Sequence, residues 1–583
     1  MTSTPLLPSR WIIPERQREA EQRLMQELKV TSLLAAALVS RGLTDPEEAN
    51  HFLNPRLEDL HSPKLLPDFD AAAKAILGAR ERGERIFVHG DYDVDGVTSA
   101  ALFTRFLGKL GCDVVAHVPH RMKEGYGIHI DIVQAAKETG ARLFLTCDCG
   151  SGAHAQVEAA REAGMTVVVT DHHLLKETLP NAAAVVNPHR DDSVYPFPEL
   201  SGVGVVFKLC EGINAELGQR TDQYQRAYLD LVTLGTVADV MPLVGENRIL
   251  VKYGLQQLQA TKKVGLQALM DVTKFDRHEA GAELKAHHIG FQLGPRLNAV
   301  GRIDDAATAL QLLLATDEMQ ARELAAELDK VNNARRLEQE QIYKSAEESV
   351  ISQELDRNLV LMVAGESWHT GIVGIVAGKL VERFNRPAFV LKHDTEKDIV
   401  RGSARSVPGF NLGEAIRRVE HLLLSGGGHE MAAGISLRRE NLEEVYANFC
   451  GYASEFLTFE DLVPTHEVIG AIGMNEVNER SLHDLDRLEP FGCANPRPVL
   501  MASNLTVTNI MPTKNPIHPR VELTDETGQK RMAMAFGLGE VFEQIPIGSV
   551  IDVVFKAEIE EWQGRKSAKW HVRDVRLTPR HTP

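Results

Sequence analysis

Arg85-Ile86-Phe87-Val88-His89-Gly90-Asp91-Tyr92-Asp93-Val94-Asp95-Gly96 is a short apolar run that stops in a turn carrying three carboxylates at alternate positions. An apolar run of this length, bounded by turn residues, reads as a strand buried on both faces, the kind found in parallel sheets. The pattern repeats downstream. Ala141 to Thr146 ends at Asp148, Thr166 to Val169 ends at Asp171-His172-His173, and Asp113 to Val118 ends at Pro119-His120-Arg121, with helical sequence such as Val97 to Leu110 in between. Such alternation predicts an α/β fold whose ligand crevice lies outside the carboxyl ends of the strands. The acidic clusters sit at such ends, and a further acid, Asp239, follows the helical run Tyr228 to Val237.

Ionised carboxylates this close repel one another, and burying them unpaired costs on the order of several kcal/mol each. A cation between them removes that cost. Oxygen donors mixed with imidazole favour Mn²⁺ or Mg²⁺ over thiophilic metals. A calcium loop, which also opens with alternating acids, does not fit: its twelfth position is Leu102 where a bidentate Glu is needed, and a strand stands where a helix should precede it. Of the adjacent His172 and His173, side-chain alternation predicts one on the metal and the other turned toward a substrate phosphate. Cys147 and Cys149 are spaced too closely for a zinc knuckle and read as buried thiols.

A chain of 583 residues exceeds a single core, which stops growing at roughly 250 to 300 residues. Its 43% hydrophobic and 25% charged residues are those of a globular protein, and no stretch approaches the ~20 apolar residues that span a bilayer. With no recognisable export signal and six scattered cysteines, a cytoplasmic, reducing location is expected. The net charge of −17 argues against nucleic acid only in bulk, because from Asn495 onward 12 Lys and Arg outnumber 10 Asp and Glu. Five segments follow from the pattern. Residues 1–70 read as short helices, with Glu27 to Arg41 amphipathic and Asp45-Pro46 a helix start; 71–305 as the α/β unit described; 306–355, free of Gly and Pro, as one long helix or two in line. Residues 356–457 read as a second α/β unit with Gly-rich loops, and 458–583 as about five strands able to close a barrel.

The motifs that fix a resemblance are the stretch Val88 to Gly96, Pro119-His120-Arg121 through Glu124-Gly125-Tyr126-Gly127, Asp148-Cys149-Gly150, Asp171-His172-His173, Val237-Ala238-Asp239, Gly294-Pro295-Arg296-Leu297-Asn298, Gly426-Gly427-Gly428-His429, and Leu488 to Gly492 before Asn495-Pro496. Together they resemble the DHH phosphoesterase superfamily, and within it the bacterial exonucleases that digest single-stranded DNA from 5′ to 3′. The resemblance covers nearly the whole chain and implies a parallel-sheet DHH domain, a connecting helix, a DHHA1-type domain and an OB-fold barrel. It implies two ions, Mn²⁺ or Mg²⁺, held by Asp93, Asp95, Asp148, His172 and Asp239, with Asp148 between them and with His89 and Asp91 contributing to or supporting the first.

His173 joins these residues as a phosphate contact or proton donor. Arg121, Arg296, Asn298, Ser403, Arg405, His429 and the run Gly426, Gly427, Gly428 match positions expected to hold the nucleic acid, the glycines letting backbone N–H groups approach phosphate. Cys147 stands where an aliphatic residue is more usual. Trp562, Trp570 and Phe536 are candidates for stacking on bases. The implied activity is two-metal hydrolysis to nucleoside 5′-monophosphates in DNA repair and recombination, with a single-strand-binding protein and a helicase as associates. A small-substrate phosphodiesterase acting on oligoribonucleotides or cyclic dinucleotides would not need the β-rich tail. A non-catalytic replication scaffold would have eroded ligands, and here they are intact.

Overall fold

In a computed structural model of the chain, residues 9–120, 127–175, 178–276, 279, 281–303, 305–562 and 565–578 are described. The chain folds into two compact units. The larger is Arg56–Thr458 with Pro490–Asn495, and the smaller joins Met1–Pro55, Phe459–Glu489 and Pro496–Pro583. The expected N-terminal segment 1–70 is therefore divided near residue 55. Its first strand, β1 (Arg10–Ile12), pairs in parallel with β12 (Thr465–Glu467). The amphipathic helix expected over Glu27 to Arg41 is two helices, Arg18–Leu28 and Ser32–Val39, broken where Lys29 takes a left-handed conformation. Asp45 caps Pro46–Leu53 as its sequence requires, accepting from the Glu47 and Glu48 N–H groups.

The larger unit opens with the predicted parallel sheet. Its strands are β2 (Ile86–Gly90), β3 (Val114–His117), β4 (Leu143–Cys147), β5 (Thr166–Thr170) and β6 (Ala184–Val186), in the order β3-β2-β4-β5-β6 and parallel throughout. The order steps outward in both directions from the β2/β4 pair. That is the switch point at which ligand crevices open in such sheets. β2 and β4 are buried at every position, which explains their unbroken apolar sequence. The helix after β2 runs Val94–Lys109, three residues earlier than its apolar pattern suggested, because Asp93 caps it. It packs against the helices Gly202–Glu216 and Thr221–Ala238 in one continuous apolar core.

The segment expected as one long helix or two in line is two helices, the short Ala307–Leu314 and the 35-residue Glu318–Ser352, whose N-cap Asp317 accepts from the Gln320 N–H. A second sheet follows in the order β10-β11-β9-β8-β7, made of β7 (Leu361–Gly365), β8 (Ala388–Asp394), β9 (Ile399–Arg405), β10 (Leu423–Gly428) and β11 (Ala432–Arg438). Only β7 and β8 pair in parallel; the other pairs are antiparallel. In the smaller unit β13 (Leu500–Met511), β14 (Arg520–Thr524), β15 (Lys530–Ala535), β16 (Val550–Trp562) and β17 (Arg565–Leu577) close a barrel in the order β13-β14-β15-β17-β16, as the turn spacing predicted. No helix among the described residues is long and apolar enough to cross a membrane.

Candidate metal centre

The sheet delivers its acids to one place. Asp93, at the end of β2, turns its side chain to the Gly96 N–H at 3.1 Å, and this capping bond starts the following helix. Asp95, two residues on in the first turn of that helix, is almost completely buried. Its Oδ2 accepts from the Gly202 N–H at 2.7 Å and its Oδ1 from the Val203 N–H at 2.8 Å, so the N-terminus of helix Gly202–Glu216 holds the carboxylate in place. A Cβ on Gly96 would fall 2.4 Å from the Asp91 nitrogen, so the close return of this turn admits no side chain there.

Asp148, past the end of β4, sits in the left-handed region at φ 61°. A non-glycine residue held there is strained, a cost that recurs at functional sites. Gly202 makes room for it, since a Cβ at that position would lie 2.7 Å from Asp148 Oδ1. Past β5, the Nε2 of His172 lies 3.1 Å from Asp148 Oδ1, 3.7 Å from Asp239 Oδ2 and 3.8 Å from Asp95 Oδ2. Asp239 ends helix Thr221–Ala238, and Val240 beside it is also left-handed, at φ 59°. The donor atoms form three overlapping groups: Asp91, Asp93 and Asp148; Asp148, His172 and His173; Asp95, His172 and Asp239. Within each group the atoms lie within 4.8 Å of one another. Asp148 belongs to two of the groups.

The two imidazoles do not diverge as strand alternation predicted. Their ring centres are 4.6 Å apart, and the Nδ1 of His173 is 4.0 Å from Asp148 Oδ1. Strand β5 has already ended at Thr170, and Asp171 bends the chain by accepting from the Ser151, His172 and His173 N–H groups. Asp171 Oδ1 also lies 2.7 Å from His173 Nδ1. Burial opposes the charge of Asp171, yet these hydrogen bonds, led by that of His173, bring its carboxyl down to about 2. Burial likewise opposes the charge on His173, but Asp171 raises it to about 9.

The remaining acids are pushed the other way. Burial, together with the neighbouring acids, raises Asp91 to about 8, Asp95 to about 7, Asp239 to about 8 and Asp148 well above the usual carboxylate range. Asp91 Oδ1 and Asp148 Oδ1 are buried and accept no hydrogen bond among the described residues. Crowded, buried oxygen donors with unused lone pairs beside imidazole nitrogen fit hard divalent cations. His89 stands apart. Its Nδ1 is 3.1 Å from His117 Nδ1 and its Nε2 is 3.3 Å from the Gly127 carbonyl, so in this geometry it supports the turn and donates to none of the three groups.

The residues expected to hold nucleic acid are scattered more widely. Arg121 lies outside the described residues. His429 lines a cavity of 440 Å³ with Ser151, His154, Asp171 and His173, next to the metal groups. Ser403, on β9, lines a separate concavity of 360 Å³ with Arg401, Ser425 and Ser436, while Arg405 donates to the Ala404 carbonyl. Gly426, Gly427 and Gly428 form no loop: they are the exposed edge strand β10, in register with Ile435, Gly434 and Ala433. Arg296 pairs with Asp329 at 2.7 Å and donates to the Gln292 and Val272 carbonyls, which makes it a fastener between helices. Asn298 is half-buried on helix Gly294–Ile303.

In the barrel, Trp570 is core, stacked on Phe555 at 3.8 Å, whereas Phe536 is 44% exposed beside His518 and His571. The side chain of Trp562 lies outside the described ones. The sequence reading missed Ser201 and Gly202, the N-terminus that grips Asp95, and Asn187, whose amide donates to Ser151 Oγ and the His173 carbonyl. The Ser-Gly pair ahead of the apolar run Val203 to Phe207 was the available signal.

A doubly covered parallel sheet presenting a carboxylate–imidazole cluster at its switch point defines a metal-dependent phosphoesterase of the DHH type. Family models agree: the DHH family N-terminal domain matches residues 85–236, the DHHA1 domain 355–455 and the RecJ OB domain 470–574. The single-stranded-DNA-specific exonuclease RecJ of Bacillus subtilis is 38% identical over 98% of this chain and 71% of its own length. Thermus thermophilus RecJ in complex with Mn²⁺ superposes with a TM-score of 0.83 at 29% identity, covering 98% of this chain and 79% of that one. The Mg²⁺ complex of the same protein gives 0.77 at 27%, covering 98% and 78%. The chain belongs to the RecJ family of single-stranded-DNA-specific exonucleases.

Proposed function

We propose that the chain digests single-stranded DNA from its 5′ end and releases nucleoside 5′-monophosphates. The observation that carries this reading is the cluster of buried Asp95, Asp148 and His172 with half-buried Asp239 in a chain of this family. Asp93, Asp95, Asp148, His172 and Asp239 would hold a pair of divalent ions, Mn²⁺ or Mg²⁺, with Asp148, shared by two of the three groups, the residue that would serve both; Asp91 would join them and His89 would brace the turn that carries them. Bound there, such ions activate a water and offset the charge that gathers on the phosphate oxygens.

The residues position the rest. The water oxygen bonds to phosphorus as the bond from phosphorus to the 3′ oxygen of the terminal nucleotide breaks, and that oxygen takes up a proton. His173, kept protonated by Asp171, is placed to supply that proton or to hold a phosphate oxygen. The cavity shared by His173, Ser151, His154 and His429 takes one nucleotide, and a paired partner strand is excluded. Backbone contacts come from Ser403, Arg405, His429, Asn298, Arg121 and the β10 glycines, with Arg296 acting through the helices it joins. The barrel adds single-strand affinity through Phe536, at ~1 to 3 kcal/mol per stacked base. The setting is cytoplasmic DNA repair and recombination beside a single-strand-binding protein and a helicase.

A nuclease assay with Mn²⁺ tests this on 5′-phosphorylated single strands, blunt duplex, RNA and cyclic dinucleotides. Mononucleotides from the single strand alone, lost in Asp148→Ala, are expected. Turnover of cyclic dinucleotides with the DNA untouched would refute it.

A further inference from the structure

A cavity of 1010 Å³ opens at the far ends of the two helices that carry the cluster, and no step of the hydrolysis uses it. It is lined by the C-terminal turn of helix Val94–Lys109, the N-terminal half of helix Thr221–Ala238 and the segment Ala260–Val264. The lining residues nearest the cluster are Thr104 and Asp230, 11 residues from Asp93 and 9 from Asp239, so at 1.5 Å per residue about 14 to 16 Å of helix separates the cavity from those acids. Its charge is opposite to that of the whole chain. Arg105, Lys109, Arg226, Lys262 and Lys263 line it against one acid, Asp230, in a protein of net charge −17.

Two of the five cations are committed to the fold: Arg105 donates to the Leu313 carbonyl at 2.7 Å, and Lys263 pairs with Asp230 at 2.8 Å. The other three, Lys109, Arg226 and Lys262, are exposed and make no ion pair among the described residues. Tyr228 adds a donor. The residue is 4% exposed and borders the cavity, and its hydroxyl makes no hydrogen bond to protein among the described residues, so the O–H is free to meet a ligand there.

Three uncommitted cations and an unused donor around a concave space of small-molecule size match a compact polyanion. We propose that this cavity is a second anion site, taking a chain of phosphates carried by a nucleoside di- or triphosphate or free as inorganic polyphosphate. The flexible rim lysines and Arg226 meet the phosphates, and Tyr228 and Thr261 line the floor.

Calorimetric titration of the full chain with ATP and with inorganic tripolyphosphate, Mg²⁺ in excess, tests the proposal. Both probes are expected to bind the wild type and the Asp148→Ala variant equally, and tighter binding of ATP would show that the nucleoside also sits in the cavity. The double variant Arg226→Glu, Lys262→Glu should weaken binding by about tenfold or more while leaving single-strand hydrolysis unchanged. Lys109→Glu provides a second, independent rim variant should the double variant not fold. Failure of both probes to bind at roughly millimolar concentration, binding that survives charge reversal at the rim, or binding lost in Asp148→Ala would each overturn it.

Discussion

The Gly202 N–H donates to Asp95 Oδ2 at 2.7 Å while the missing side chain of Gly202 leaves space for Asp148, so one residue positions two acids of the cluster from opposite sides. Gly202→Ala puts a methyl group 2.7 Å from Asp148 Oδ1 and must move it. A shift of that order costs about a hundredfold in rate when the displaced group serves the reaction. Turnover of single-stranded DNA and Mn²⁺ affinity by titration should both fall, with the barrel and second sheet unaffected by circular dichroism.

Asp171 acts on His173 in a way that titration can read. The imidazole is raised to about 9, so its share of the stability is present in full below about 6.5 and is lost as pH rises through about 9. The Asp171 carboxyl is lowered to about 2, so its share is present above about 3.8 and is lost as pH falls through about 2. Asp171→Asn should lower the His173 value by more than one unit in an NMR titration, and its destabilisation should be largest between about pH 4 and pH 6.5. An unchanged His173 titration would contradict the pairing.

Removing divalent ions should unmask the repulsion in the cluster. Asp95 at about 7 and Asp91 and Asp239 at about 8 lie above their unfolded value of 3.8, because burial disfavours their charge and neighbouring acids add to it. A raised acid weakens the fold as pH climbs from 3.8 through about 8, so the metal-free protein should lose stability over that range. Mn²⁺ should therefore raise Tm more near pH 8.5 than near pH 6, with release of roughly one or more protons on binding. Scanning calorimetry at the two pH values checks the first statement, and titration in buffers of different ionisation enthalpy checks the second.

In the barrel, Trp570 and Phe536 should separate cleanly. Trp570 is fully buried against Phe555, so Trp570→Ala should cost about 3 to 5 kcal/mol of stability. Phe536→Ala should leave Tm unchanged and weaken single-strand binding by about 1 to 3 kcal/mol. Denaturant unfolding and fluorescence anisotropy with an oligonucleotide measure the two effects.

What the sequence made legible was local. Apolar runs ending in Asp91, Asp148 and Asp171 announced the parallel sheet, because a strand buried on both faces has no polar alternation to obscure its ends. The five barrel strands were legible from their turns. Asp239 was found because its helix ends there. What stayed hidden depends on residues far apart in the chain. The pairing of β1 with β12 joins residues more than 450 positions apart, and nothing in Arg10 to Ile12 specifies it. Arg296 looked like a phosphate ligand, yet its partner Asp329 lies 33 residues on, across a break that the helical composition did not reveal. Gly426 to Gly428 looked like a loop, and Ala432 to Leu437 recruited them as an edge strand.

Anomalous diffraction at the manganese edge, from crystals of this chain grown with Mn²⁺, tests the central claim most directly. The account predicts two peaks, both within coordination distance of Asp148, one also contacting Asp93 and the other His172 or Asp239. Crystals with full Mn²⁺ in solution and no anomalous peak among these side chains would contradict it.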